Sequence, residues 1–235
     1  VASDACYTRL IDIPEEVTEE NAIEFLEDPK SGVQIPISIN NSDFDVSLTQ
    51  LPKKNINSKY FKRYFLTSIP KKNTNLILDT LNNAKLELCS FQMSHMCIAN
   101  LLRKEIENLD LNHLIISVDL LNEVTQFTIF DKSGPLLIKR LGSIRKYPTI
   151  EEMKDLTAED GKNIDKNNST NSYLPLSKLD LKVLIREISS TFKNFLEENN
   201  LDKKGKIYLT GRNSQHKNLV EILGESLLMD TFLVS

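Results

Sequence analysis

Apolar positions change their spacing several times along this chain, and each change predicts an element. Tyr7 to Ile13 reads as a strand closed by Pro14. Thr18-Glu19-Glu20 then leads into Ala22, Ile23, Phe25 and Leu26 at helical spacing, with Pro29 and Gly32 ending the helix. Phe44, Val46 and Leu48 alternate with Asp45, Ser47 and Thr49, the period of a half-buried strand. Leu51 to Asn57 reads as a basic, Asn-containing loop and Tyr64 to Ile69 as another strand. Ile77, Leu81 and Ala84 mark a helix face, Leu86 to Phe91 an edge or short strand, and Met96, Cys97 and Leu101, extended by Arg103 to Ile106, a second helix.

The second half is more regular. Leu114 to Val118 is a short apolar run, and Val124 to Phe130 is rich in β-branched and aromatic residues. Asp131-Lys132-Ser133-Gly134 predicts a hairpin turn, from which Leu136 to Leu141 returns as a third strand. Thr157 to Ser172 is polar and without period, and reads as a mobile loop. Beyond it Leu181, Leu184, Ile185, Ile188, Phe192 and Phe195 line one side of a long amphipathic helix. Lys206 to Thr210 is a strand, Gly211-Arg212-Asn213 a turn, and Leu219, Ile222, Leu223 and Leu227 the face of a final helix. Three strands followed by helix, strand and helix predict an α/β (α+β) fold of ribonuclease-H-like order, in which a meander is joined by a helix-linked parallel strand.

Composition narrows the class. The 235 residues are 40% hydrophobic and 26% charged, enough for one large domain or two smaller ones with real cores. With 29 basic against 33 acidic residues, net −4, a broad nucleic-acid-binding surface is not expected. No run reaches the roughly 18 apolar residues of a membrane span. Cys6, Cys89 and Cys97 are odd in number and lack zinc-ligand spacing, so a reducing compartment is expected rather than a disulfide framework. The chain opens Val1-Ala2-Ser3-Asp4, without Met or a signal sequence, and reads as a piece of a longer protein.

Candidate chemistry is sparse. His95, His113 and His216 sit in no metal or triad spacing, and no Gly-x-Ser-x-Gly elbow occurs. No Walker loop or Gly-x-Gly-x-x-Gly is present, and 7 Gly leave little material for phosphate-cradling loops. Two places remain. Asp119 ends a strand ahead of Leu120-Leu121-Asn122-Glu123-Val124-Thr125, and Gly211-Arg212 joins a strand to a helix, a usual place for a nucleotide group. The plainer reading makes Asp119 the start of a hairpin turn and Gly211 the residue that permits a tight bend. Lys53-Lys54, Arg63 and Lys71-Lys72 surround Tyr60, Phe61, Tyr64 and Phe65, either an RNA-stacking surface or a sheet face with solvated lysines. Gly32 to Ile39, apolar and interrupted by Pro36, is either a strand edge that accepts a peptide or a buried segment.

Three stretches of the chain resemble the PilM family of type IV pilus assembly proteins, in the actin-like ATPase superfamily and related to FtsA. Ala2 to Pro14 with the acidic helix after it resembles the start of that family's inserted 1C subdomain, and Pro29 to Ile37 with Asp43 to Val46 continues it in the style of cyanobacterial members. Tyr64 to Lys72, then a helix and Ala84 to Leu88, resembles the family's strand, Pro, helix and Leu-rich strand. The order of strand, hairpin, long helix and Ile207 to Gly211 is the third.

The resemblance implies an actin-like fold with an incomplete first half. Residues 1–90 would carry the partial first-half region with its 1C-type subdomain, 91–112 a crossover helix, and 113–235 a ribonuclease-H-like subdomain with a mobile loop over 157–173. It also implies a bacterial cytoplasmic scaffold at the inner face of the inner membrane. Such a scaffold holds the N-terminal tail of a PilN-like partner, links to motor ATPases, and supports pilus biogenesis, twitching motility and DNA uptake; self-association is a further expectation. Family members bind ATP through two phosphate loops and a Gly-Gly adenosine loop. Here the first would precede Val1, the second maps to Asp119-Leu120-Leu121 with Leu121 at the Gly position, and the third to Gly211 with Arg212 replacing its second Gly. The last return helix would follow Ser235. The site implied by Asp119, Thr125, Gly211 and Arg212 is therefore degenerate, with no catalysis and no resident cofactor expected. An FtsA-like enzyme binding ATP and Mg is the alternative.

Overall fold

The computed structural model describes residues 6–18, 20–33, 35, 43–56, 59–121, 124–144, 177–216 and 218–234. The expected loop at 157–173 and most of the segment from Gly32 to Ile39 lie outside these. The chain divides into two compact units, one of residues 1–108 with 131–138 and the other of 109–130 with 139–235.

The first unit is built on an antiparallel sheet of three strands, β1 (Tyr7–Pro14), β2 (Phe44–Ile56) and β3 (Lys59–Pro70), in the order β1-β3-β2. Helix α1 (Ala22–Glu27) sets Ala22 and Leu26 against Ile11, Ile13, Tyr64 and Leu66 on one face. On the other, Phe65, Ile69 and Leu51 pack with Cys6 and Met93, the residue that precedes helix α3 (Ser94–Leu101). Tyr64 and Phe65 therefore belong to opposite faces, because neighbouring strand residues point opposite ways. Both are buried, and only Tyr60 of the aromatic group is exposed. Arg63 is buried and its Nε lies 3.0 Å from Asp12 Oδ1, so it is spent on an ion pair inside the sheet rather than offered to solvent.

Three expectations fail in this unit. Residues 51–56 form no loop: β2 runs on to Ile56 after a register shift between Leu51 and Lys54. Pro52 falls within that irregularity on an edge strand, where the missing N–H costs no ladder bond. Leu86 to Phe91 forms no strand after helix α2 (Lys71–Asn83). The second helix is broken at Leu102 into α3 and α4 (Arg103–Glu107).

A five-stranded mixed sheet has the order β6-β5-β4-β7-β8. Its strands are β4 (His113–Leu120), β5 (Thr125–Asp131), β6 (Gly134–Leu141), β7 (Lys204–Thr210) and β8 (Asp230–Leu233). The second unit carries β4, β7, β8, nearly all of β5 and the end of β6. The meander and the parallel β4–β7 pair follow the predicted ribonuclease-H-like order. Strand β8 was not foreseen; it follows helix α6 (Leu219–Leu227) and pairs parallel to β7. Helix α5 (Lys178–Glu198) starts where Ser177 Oγ accepts the Asp180 N–H at 3.1 Å. It buries Leu184, Ile188, Phe192 and Phe195, a face worth about 1.5–3 kcal/mol for each large side chain.

Central strand β4 is buried from Leu114 to Leu120, on both faces. A Cβ added at Gly205 in β7 would stand 2.6 Å from Ile116 Cδ1, 3.1 Å from Met229 Sδ and 3.3 Å from Phe192 Cζ. The absence of a side chain there lets α5 settle on the β4–β7 pair. Gly205→Ala should cost about 1–3 kcal/mol by overpacking. Ile116→Val, which removes the clashing methyl, should cost about 0.5–1.5 kcal/mol alone. In denaturant titrations the double variant should lose less than the sum, by about 0.5 kcal/mol or more; strict additivity would remove Gly205 as the packing constraint.

Candidate functional site

The ends of parallel strands β4 and β7 form the crevice where an open α/β sheet usually receives a ligand. Asp119 and Thr210 lie side by side there in register, and Thr210 Oγ1 donates to Asp119 Oδ1 at 2.9 Å. Asp119 is only 4% exposed. Burial pushes its carboxyl above the ordinary aspartate range, against a smaller lowering by the Thr210 hydroxyl. Gly211 follows with φ of +81°. A Cβ there would come within 2.6 Å of the Leu120 carbonyl oxygen and 2.7 Å of Asp119 Oδ1, so glycine is required both by conformation and by space.

The turn after Gly211 is one turn of 3₁₀ helix over Arg212–Gln215 rather than a simple bend. Buried Asn213 donates its side-chain amide to the Leu121 carbonyl at 2.8 Å, tying the end of β7 to the end of β4. The Leu121 N–H donates to Val124 O at 3.1 Å, and Ser214 donates both its N–H and its hydroxyl to Gly211 O. Each of these donors is held by a protein acceptor. Those donors are therefore turned to the protein rather than toward a nucleotide phosphate. Among the described residues no group of three or more His, Cys, Asp or Glu is placed to hold a metal ion.

Of the four residues singled out in the sequence, Asp119 and Gly211 meet. Arg212 is adjacent in the chain but exposed. Thr125 pairs with Leu120, whereas Asp119 pairs with Gln126. Cross-strand partners share a face and neighbours alternate, so Thr125 lies on the opposite side of the sheet from Asp119. Its buried Oγ1 has no hydrogen-bond partner among the described residues. Thr210 and Asn213, which complete the crevice, carry no spacing signal: they reach partners 91 and 92 residues away.

A second concavity, of about 190 Å³, lies in the first unit between the β2–β3 face and the segment from Phe91 into α3. Phe65, Ile69, Phe91, Met93 and Met96 supply its apolar wall, and the hydroxyls of Ser47, Thr49 and Thr67 stand on the strands beside them. Flexible thioethers beside aromatic rings accept varied apolar side chains, and strand hydroxyls add polar contacts. No regularity of the sequence brings these residues together.

The chain has an actin-like ATPase fold, with an acid and a glycine turn at the ends of the parallel strands β4 and β7. No family model matches the chain, and no curated protein does. Among solved structures it is similar to the PilM-PilN type IV pilus biogenesis complex, with a TM-score of 0.64 and 15% identity over 98% of this chain and 66% of that one. A protein with actin-like ATPase fold from Bacteroides thetaiotaomicron gives 0.48 at 12% identity, covering 96% of this chain and 65% of that one. The ethanolamine utilization protein EutJ from Carboxydothermus hydrogenoformans gives 0.41 at 14%, over 69% of this chain and 56% of that one. The likeness to PilM holds at the level of the fold, and this chain spans 66% of that neighbour's length. Among the described residues no helix is long and apolar enough to cross a membrane.

Because burial raises the Asp119 carboxyl, the folded state binds that proton more tightly than the unfolded chain. The group's contribution is best at acid pH and declines as pH rises from the ordinary aspartate range through the raised value. Asp119→Asn keeps an acceptor for Thr210 and removes the charge. It should raise Tm near neutral pH, with the difference closing as the wild-type carboxyl protonates. A lower Tm for the variant at neutral pH would mean that the carboxylate is stabilising there.

Proposed function

We propose that this chain is a non-catalytic scaffold of type IV pilus assembly that holds the N-terminal tail of a PilN-like inner-membrane protein. The observation that carries this reading is the groove of the first unit. Apolar and aromatic side chains wall it, with the hydroxyls of Ser47, Thr49 and Thr67 beside them, a lining suited to the side chains of a peptide laid along β2 and β3. The fold shared with a PilM-PilN complex supports the choice of partner. The protein would then work at the cytoplasmic face of the inner membrane, linked to the pilus motors and so to twitching and DNA uptake.

The internal bonds at the β4–β7 crevice support the absence of catalysis. The Asn213 side-chain amide donates to the Leu121 carbonyl and the Leu121 N–H to the Val124 carbonyl, so neither donor is turned toward a phosphate. The split of Thr125 from Asp119 across the sheet weighs against the FtsA-like enzyme, which needs both at one phosphate.

Calorimetric titration with a synthetic PilN-like tail peptide, run beside Mg-ATP, tests this. Peptide binding without ATP heat is expected. Met96→Glu, which sets a charge against the apolar wall, should weaken the peptide about tenfold or more. Micromolar ATP binding with no response to peptide would overturn the scaffold reading in favour of the enzyme.

A further inference from the structure

Two sulfur atoms stand in the wall of the first unit's groove, and solvent reaches them unequally. Met93 is 4% exposed and belongs to the buried cluster of Cys6, Leu51, Phe65 and Ile69. Met96 packs against that cluster but is only half-buried, and it lines the groove with Phe65, Ile69 and Phe91. Of the two thioethers it is therefore the one open to a small oxidant from solution. A thioether is apolar only while its sulfur is reduced: one added oxygen turns it into a polar, chiral sulfoxide.

Helix α3 is held without the help of that sulfur. His95 and Ile98 are both buried, and the His95 ring meets Phe65 edge-on with centroids 4.9 Å apart. A change at Met96 thus alters the wall of the groove and leaves the helix in place. Cys97, next in the chain, is exposed, stands outside the groove wall and donates its thiol to Gln92 Oε1 at 3.9 Å. Its first oxidation products are returned by a dithiol, whereas a sulfoxide is not, so the two chemistries are separable.

We propose that Met96 is an oxidation site at which a peroxide switches the groove from open to closed for an apolar partner. One oxygen of hydrogen peroxide passes to Met96 Sδ. A sulfur lone pair forms the S–O bond as the O–O bond breaks, sulfur gives up two electrons, and the peroxide is reduced to water. The sulfoxide sets a dipole into a wall shared with Phe65, Ile69 and Phe91, and burying it under a partner's apolar side chain costs its hydration. Methionine sulfoxide reductase returns the thioether and reopens the groove. This switch rests on the tail-binding reading of the groove and adds to it a reversible modification that releases the tail.

The test treats the full chain with hydrogen peroxide, then with dithiothreitol to return oxidised thiols, and titrates it calorimetrically with the synthetic PilN-like tail peptide. Mass spectrometry of a digest follows the gain of oxygen at Met96 against Met93. Met96 should be oxidised first, the circular dichroism spectrum should not change, and peptide affinity should fall about tenfold or more. Methionine sulfoxide reductases A and B should restore it. Met96→Leu fills a similar volume without sulfur, and should bind the peptide equally before and after peroxide, whatever its own affinity. Met93→Leu should stay sensitive. Undiminished affinity with Met96 oxidised, an equal loss in Met96→Leu, earlier oxidation of Met93, or loss of the folded spectrum would each overturn the switch while the untreated protein, still binding, keeps the tail-binding reading. An untreated protein that does not bind the peptide would overturn that reading and the switch with it.

Discussion

The second unit depends on how closely β7 lies against β4. A strand buried on both faces, as β4 is from Leu114 to Leu120, must have every main-chain group paired, and its parallel partner must approach without a gap. Two glycines make that approach possible. Gly205, near the start of β7, leaves room for Ile116 and Phe192, and Gly211, just past its end, lets the chain turn against the Leu120 carbonyl. Between them Ile207 and Leu209 are fully buried. Side chains at either glycine would push β7 away from the strand on which the sheet is built.

That closeness also decides what the crevice at the strand ends has to offer. In an open α/β sheet the strand ends diverge and leave main-chain donors for a ligand. Here Asn213 closes the divergence by bonding to Leu121, and Thr210 bonds to Asp119. The buried Ser117 and Thr128 face each other further along the same side of the sheet. Polar groups in such a stripe contribute to a unique register when they are satisfied, and each is costly when it is not. The first unit differs: its sheet is covered by α1 on one face, and on the other it keeps a concavity walled by Phe and Met side chains. Room for a partner is found where packing is adaptable rather than where the strands are stitched.

Elements with a long period or a local turn code were legible. Helix α5 repeats its apolar face over about four turns, and Asp131 to Gly134 carries its own hairpin chemistry, with the Ser133 N–H donating to Asp131 Oδ1 at 2.7 Å. The order of strands in the second unit followed from these. Failures came where a local pattern was overruled by its surroundings. Pro52 marked a loop but sits in a bulge on an edge strand. Leu86 to Phe91 alternates like a strand, but α2 ends with Lys85 at φ of +56° and no neighbouring strand takes the segment up. Strand β8 has four residues, too few for a period to show. At the candidate site Asp119 and Gly211 were legible as strand-end residues, whereas the face of Thr125 depended on a register set by the β5 pairing. The groove around Met93 and Met96 follows from tertiary packing alone.

Asp119 is the residue that stability explains least. A buried carboxylate held by one hydroxyl loses more hydration than that bond returns, which is why its proton is held more tightly. An asparagine would accept the same bond without the charge. Charge at this point makes sense only for a ligand, and an ionised acid repels a phosphate unless a cation stands between them. With the nearby donors turned to protein acceptors, an acid alone does not assemble such a site. On the scaffold reading Asp119 is a liability carried by the fold, offset in part by the Thr210 hydroxyl and by the proton that burial helps it to keep.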